Sequence, residues 1–134
     1  MIKKNIWIVD DDAIYQIIID KLIKKSEMFS SKSSFKNGQE ALTALHNSLN
    51  NEELLPDIIL LDVNMPIMDG WEFMEEMKNI NSKIQKKITI YIVSSSIAPE
   101  DRTKSKTFEI FDYISKPISV EDIKSIAEKQ MLFN

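Results

Sequence analysis

The chain has 134 residues, 43% of them apolar, with 17 basic residues against 21 acidic ones, a net charge of −4, and no cysteine. This is one domain's length with enough apolar residues for a core, which excludes a disordered chain, and the acidic balance, with a pI of about 5.1, argues against a nucleic-acid partner. The lack of cysteine removes disulfides, thiolate metal sites and thiol nucleophiles.

No run approaches the roughly 18 apolar residues of a membrane span. The first six residues lead into a strand-like segment and not a signal peptide. A cytoplasmic protein with no membrane partner is therefore expected.

Short apolar runs alternate with longer amphipathic stretches, the pattern of parallel strands joined by crossover helices. Ile6-Trp7-Ile8-Val9 reads as a buried strand. Ile14, Ile17, Ile18 and Leu22 follow at helical spacing and predict the apolar face of a first helix. A weak strand is expected around Ser33 to Phe35, then a helix carrying Ala41, Leu42, Leu45 and Leu49. Asn50 to Glu53 and Pro56 break the chain before Ile58-Ile59-Leu60-Leu61, the clearest strand. Trp71, Phe73, Met74 and Met77 predict core positions of a third helix, and Ile88 to Val93 a fourth strand.

Pro99 suits the first turn of a fourth helix. The nearly all-polar stretch from Pro99 to Thr107 lacks apolar anchors, which marks it as the least stable element. Tyr113-Ile114 is a brief fifth strand, and Val120, Ile123, Ile126 and Ala127 line a last helix. Five βα units in this length predict an α/β fold, a doubly wound parallel sheet for which 2-1-3-4-5 is one common strand order. Gly38 and Gly70 are expected at turns where a side chain would clash. His46 falls in the second helix with no ligand-type neighbour and reads as a surface residue.

The polar residues carry the chemistry through their positions. Asp10 and Asp11 follow the first strand, Asp62 the third, Ser94 the fourth and Lys116 the fifth. Open α/β sheets bind ligands beyond the carboxyl ends of their strands, so three carboxylates, a hydroxyl and an ammonium meet at one edge. The carboxylates repel one another unless a cation joins them, and hard oxygen ligands suit Mg²⁺. Lys116 is a compact point charge suited to a phosphoryl oxygen. Asp62 has the chemistry of a nucleophile that forms an aspartyl phosphate, and metal, lysine and hydroxyl together equip a site for phosphoryl transfer.

Each residue has a plainer reading. Asp10, Asp11 and Asp12 all suit a helix N-terminus, and a register one residue later makes Asp11 and Asp12 the metal pair. Asp62 suits a turn, Ser94 a local backbone bond within its run of serines, and Tyr113 strand packing.

Val9-Asp10-Asp11-Asp12, the run from Leu60 to Gly70 (LLDVNMPIMDG), Val93-Ser94-Ser95 and Tyr113-Ile114-Ser115-Lys116-Pro117 together resemble the receiver domain of bacterial two-component response regulators, over essentially the whole chain. The resemblance implies a flavodoxin-like fold and a phosphoryl group accepted on Asp62 from a sensor histidine kinase or a histidine phosphotransfer protein. It implies Mg²⁺ held by Asp11, Asp62 and the Asn64 carbonyl, with Asp10 acting partly through water. Lys116 would contact the phosphoryl group, Ser94 would move to hydrogen-bond it, Tyr113 would rotate inward, and Pro117 would follow a cis bond. Ser96 would tune hydrolysis by controlling water access.

Residues 1–134 then form a single receiver domain without an output domain, acting through a downstream protein, and not an enzyme. One alternative is an aspartate-nucleophile phosphohydrolase, although Asn64 stands where such enzymes place a second acid. Another is a degenerate receiver that serves only as a binding module. One departure from the family is the bulky stretch from Thr107 to Asp112, where small residues are usual. Its Phe108, Ile110 and Phe111 would cover the fourth helix or expose a docking surface.

Overall fold

Strands that are apolar along their whole length must be covered on both faces, which places them at the centre of a parallel sheet. The computed structural model describes residues 3–95 and 98–132. It contains β1 (Lys4–Val9), β2 (Phe29–Phe35), β3 (Ile58–Leu61), β4 (Thr89–Ser94) and β5 (Asp112–Ser115), joined by α1 (Ala13–Ser26), α2 (Gly38–Asn47), α3 (Gly70–Ile80), α4 (Pro99–Ser105) and α5 (Val120–Leu132). The five strands form one sheet of order β2-β1-β3-β4-β5, and every pair is parallel. This is the doubly wound α/β fold that the alternation predicts.

Alternate residues of the central strands feed two cores. Trp7, Val9, Ile59, Leu61, Ile90 and Ile92 meet Leu42 and Leu45 of α2 and Phe73, Met74 and Met77 of α3. Ile6, Ile8, Ile58, Leu60, Tyr91 and Val93 meet Ile19 and Ile23 of α1 and Ile123 and Ile126 of α5.

The expected inward face of α1 is overturned. Ile14, Ile17 and Ile18 are 71%, 59% and 51% exposed, while Tyr15, Ile19 and Ile23 are buried and Leu22 is half-buried. The helix carries two isoleucine stripes. Its rotation is set where the chain leaves β1, with the Asp12 carboxylate accepting the amides of Ile14 and Tyr15. That rotation turns the stripe beginning at Tyr15 toward the sheet.

Three boundaries also differ. β2 starts at Phe29 because it pairs with β1 along its length, and its serines are those of a polar edge strand. β4 runs one residue later than expected, and α2 ends at Asn47, before Leu49.

No residue of α4 is buried, as its sequence implies. It is tied to α3 by the Trp71 indole, which donates to Asp101 at 3.0 Å. Phe108 stacks on Trp71 with ring centroids 5.8 Å apart and therefore covers α3, while Phe111 is exposed and lies tilted against Tyr91.

Both glycines stand at close approaches. A Cβ on Gly38 would come within 2.8 Å of the Met68 side chain, and one on Gly70 would run into the Asp62 carbonyl oxygen with Val63 Cα 3.0 Å away. Only glycine lets α3 begin directly beneath the end of β3.

Candidate functional site

The strand register delivers the site. Val9 pairs with Leu61, Leu61 with Ile92, and Ser94 with Ser115, so the strands end nearly level. The ladder continues past them. The Asp10 amide donates to Phe35 O and the Asp62 amide to Val9 O, both at 2.9 Å, and the Lys116 amide donates to Ser94 O at 3.0 Å. The side chains of Asp10, Asp62, Ser94 and Lys116 therefore leave neighbouring strands at one edge.

One carboxylate oxygen each from Asp10, Asp11 and Asp62 lies within 4.8 Å of the others. Asp10, Asp62 and Ser94 are buried, Lys116 is half-buried and Asp11 is exposed. The Lys116 ammonium stands 2.6 Å from Asp10 Oδ2 and 3.7 Å from Asp62 Oδ2. Asp10 Oδ1 accepts the Asp12 amide at 2.9 Å, and Asp62 Oδ1 accepts the Val63 amide at 2.8 Å. The Ser94 side chain also hydrogen-bonds the Asp62 carboxylate.

Burial raises the pKa of Asp10 despite the Lys116 ammonium. Burial, and then the charge of Asp10, push Asp62 up to about 6 against the opposing pull of Lys116, the Val63 amide and Ser94. Three carboxylates and one ammonium, all ionised, leave a net charge of −2, which one divalent cation cancels. The donor set is all oxygen, one carboxylate is open to solvent, and a hard cation that keeps several waters fits it.

Asp12 caps α1, and the cluster is Asp10, Asp11 and Asp62. Asn64 is exposed on the loop after Asp62. Tyr113 is half-buried, with the Arg102 guanidinium 4.2 Å from its ring centroid. The Lys116–Pro117 bond is cis. His46 is exposed, and Trp71, Met74 and Met77 are core residues. Ser96 lies outside the described residues.

Two residues at the site carried no clear sequence signal. Gln16 Nε2 donates to Asp10 O at 2.9 Å and to Phe35 O at 3.2 Å, pinning the ends of β1 and β2 together. The Tyr15 ring lies beneath Lys116, 4.3 Å from the ammonium. Its only hint was membership of the second apolar stripe of α1.

A family model described as the response regulator receiver domain matches residues 6–128. The chain belongs to the response regulator receiver domain family. The receiver domain is 33% identical over 92% of its length to a protein-glutamate methylesterase/protein-glutamine glutaminase of Treponema pallidum (strain Nichols), and 29% identical over 92% to the sensor histidine kinase CheAY of Helicobacter pylori. It spans only 29% and 14% of those two proteins. It superposes on a two-component response regulator from Cytophaga hutchinsonii with a TM-score of 0.86 at 25% identity, covering 98% of this chain and 99% of that one. It is also similar to the phosphorylated cyanobacterial phytochrome response regulator RcpA, with a TM-score of 0.72 at 26% identity and coverage of 98% and 94%.

Membership implies a phosphoacceptor role in two-component signalling, with histidine kinases or phosphotransfer proteins as the class of partner. Receiver domains generally bind Mg²⁺ in an acidic pocket, and Asp10, Asp11 and Asp62 form such a pocket here. Among the described residues no helix is long and apolar enough to cross a membrane.

Proposed function

We propose that Asp62 accepts a phosphoryl group from a phosphohistidine on a sensor histidine kinase or a histidine phosphotransfer protein in a Mg²⁺-dependent reaction in the cytoplasm. The charge gained then switches the surface of α4, β5 and α5 toward a downstream protein. The observation that carries this reading is the placement of Asp62 at the focus of Asp10, Asp11, Ser94 and Lys116.

The carboxylates of Asp11 and Asp62 and the Asn64 carbonyl, with Asp10 partly through water, would hold Mg²⁺, which would supply charge neutralisation at the phosphoryl oxygens. A carboxylate oxygen of Asp62 forms the new O–P bond as the P–N bond breaks, and the bonding electrons leave with the imidazole. Lys116 turns from Asp10 to a phosphoryl oxygen, and Ser94 transfers its hydrogen bond from the carboxylate to the phosphoryl group. The acyl phosphate carries roughly −1.5 to −2 in charge where the carboxylate carried −1, and the added charge and bulk are read out through Tyr113, whose ring packs under Arg102 of α4. Because α4 buries no residue, its position is inexpensive to change.

A protein donor is supported by exposed apolar side chains on the elements that leave the sheet at this edge. Ile14, Ile17 and Ile18 in the first two turns of α1, which begins at that edge, and Ile67 of the loop after β3 are exposed. Position 64 offers an amide in place of the general acid of an aspartate-nucleophile phosphohydrolase, which speaks for a phosphoacceptor over turnover of an external phosphoester. Incubating the chain with a small phosphodonor and Mg²⁺ tests the proposal. Acid-stable, hydroxylamine-labile phosphate is expected on the wild type and not on Asp62→Asn or in excess chelator, and a wild-type chain that gains none sinks it.

A further inference from the structure

Lys116 has to do two things in that reaction: offset buried carboxylates in the free protein, and release Asp10 to meet a phosphoryl oxygen. A lysine ammonium on its flexible four-carbon stem has no intrinsic preference for the intermediate position. The structure supplies one. The Tyr15 ring centroid lies 4.3 Å from Lys116 Nζ, on the third side of an ammonium that also faces Asp10 at 2.6 Å and Asp62 at 3.7 Å.

The ring is itself firmly placed. It sits in the first turn of α1, where Asp12 Oδ1 accepts the Tyr15 amide at 3.0 Å, and it packs in the core shared by α1 and α5 at 9% exposure. Its hydroxyl is buried and makes no hydrogen bond among the described residues. The aromatic face, and not the hydroxyl, is therefore the functional part of this side chain. Burial and the neighbouring charges of Asp10 and Asp62 raise the phenol pKa, which keeps the ring neutral.

We propose that Tyr15 is a positioning residue for Lys116, its ring being the platform on which the ammonium turns from Asp10 to a phosphoryl group on Asp62. The proposal rests on the phosphoacceptor reading above. In the free protein the ring shares the ammonium with Asp10 and keeps it from swinging toward solvent. When charge builds up on Asp62, the lysine pivots across the ring face without losing its favourable cation–π contact, so the carboxylate of Asp10 is exchanged for the phosphoryl oxygen alone.

The test compares Tyr15→Leu, which removes the π face and leaves a smaller apolar side chain, with Tyr15→Phe, which keeps it. The measurement is the rate of phosphorylation by a small phosphodonor at saturating Mg²⁺, with folding checked by circular dichroism. Tyr15→Leu is expected to be about five- to thirty-fold slower than wild type, and Tyr15→Phe to recover the rate to within about twofold. Tyr15→Met replaces the leucine variant if that one does not fold.

In a Lys116→Met background the loss of the ring is expected to cost nothing further, which a merely structural role for Tyr15 would not produce. A Tyr15→Leu chain as fast as wild type, a Tyr15→Phe chain as slow as Tyr15→Leu, or an undiminished Tyr15→Leu effect without Lys116 overturns the proposal. A wild-type chain that is not phosphorylated at all overturns the phosphoacceptor reading instead, and the proposal with it.

Discussion

Replacing Asp62 by asparagine is expected to stabilise the metal-free fold at neutral pH while abolishing its chemistry. The carboxyl titrates at about 6 in the fold against 3.8 ordinarily, and at about 1.4 kcal/mol for each unit the ionised form costs about 3 kcal/mol at pH 7. Asp62 is only 7% exposed, so solvent screening removes little of this. That figure is already net of the attraction of Lys116, and asparagine keeps an acceptor for the Val63 amide, so with the neutral amide imperfectly paired the gain is about 1–3 kcal/mol.

The sign follows from proton binding. Between about pH 4 and pH 6 the unfolded chain releases this proton while the folded chain still holds it, so wild-type stability falls as pH rises through that window and is level above it. Asp62→Asn lacks this fall. Asp10, also raised by burial, gives both chains a slope of the same sign, and because the two carboxyls are coupled its share is smaller in the variant. Thermal melts in EDTA across pH 4–8 should put the variant roughly 3–12 °C above wild type at pH 7.5, with the gap closing toward pH 4. Mg²⁺ should narrow the gap at neutral pH by binding the wild type more tightly. A variant no more stable than wild type at pH 7.5, or a gap that widens on acidification, would refute the electrostatic account of the pocket.

Three further outcomes follow from the same geometry. Lys116→Met leaves Asp10 and Asp62 facing each other without a counter-charge, so urea melts in EDTA should show a loss of about 3 kcal/mol that Mg²⁺ partly restores. Gly70→Ala drives a methyl group into the Asp62 backbone and should cost about 1–3 kcal/mol while slowing phosphorylation; a chain as stable as wild type would show that the loop yields freely. Ile17→Glu with Ile18→Glu alters only exposed side chains, so stability should stay within about 0.5 kcal/mol and phosphorylation by a small donor should be unchanged. Transfer from a phosphohistidine protein should nevertheless fall at least about tenfold, and undiminished transfer would remove α1 from the docking face.

What the sequence made legible follows the physics of each element. β1, β3 and β4 are buried on both faces, so their apolar runs stand out whatever packs on them. The candidate site was legible for the same reason, because a residue one step beyond such a run must lie at the carboxyl edge. β2 is an edge strand whose identity lies in its backbone ladder to β1 and not in its serines, so most of it left no pattern. α1 misled because isoleucine occupies both of its faces, and composition cannot say which one turns inward. Asp10, Asp11 and Asp12 are alike in sequence, and only the folded chain separates Asp12, which caps α1, from the pair that lies beside Asp62. The roles of Tyr15 and Gln16 depend on which residues the sheet order brings beside them. Lys116 lies 101 positions from Tyr15, and only the packing of α1 across that edge makes them neighbours.

The central claim is that Asp62 is the phosphoacceptor. It is tested most directly by trapping the acyl phosphate. The chain is phosphorylated with a small donor and Mg²⁺, reduced with borohydride to convert an aspartyl phosphate to homoserine, and sequenced by peptide mass spectrometry. The account predicts homoserine at position 62, formed only when Mg²⁺ is present. Homoserine at Asp10 or Asp11, or none in a chain that has bound Mg²⁺, would contradict it.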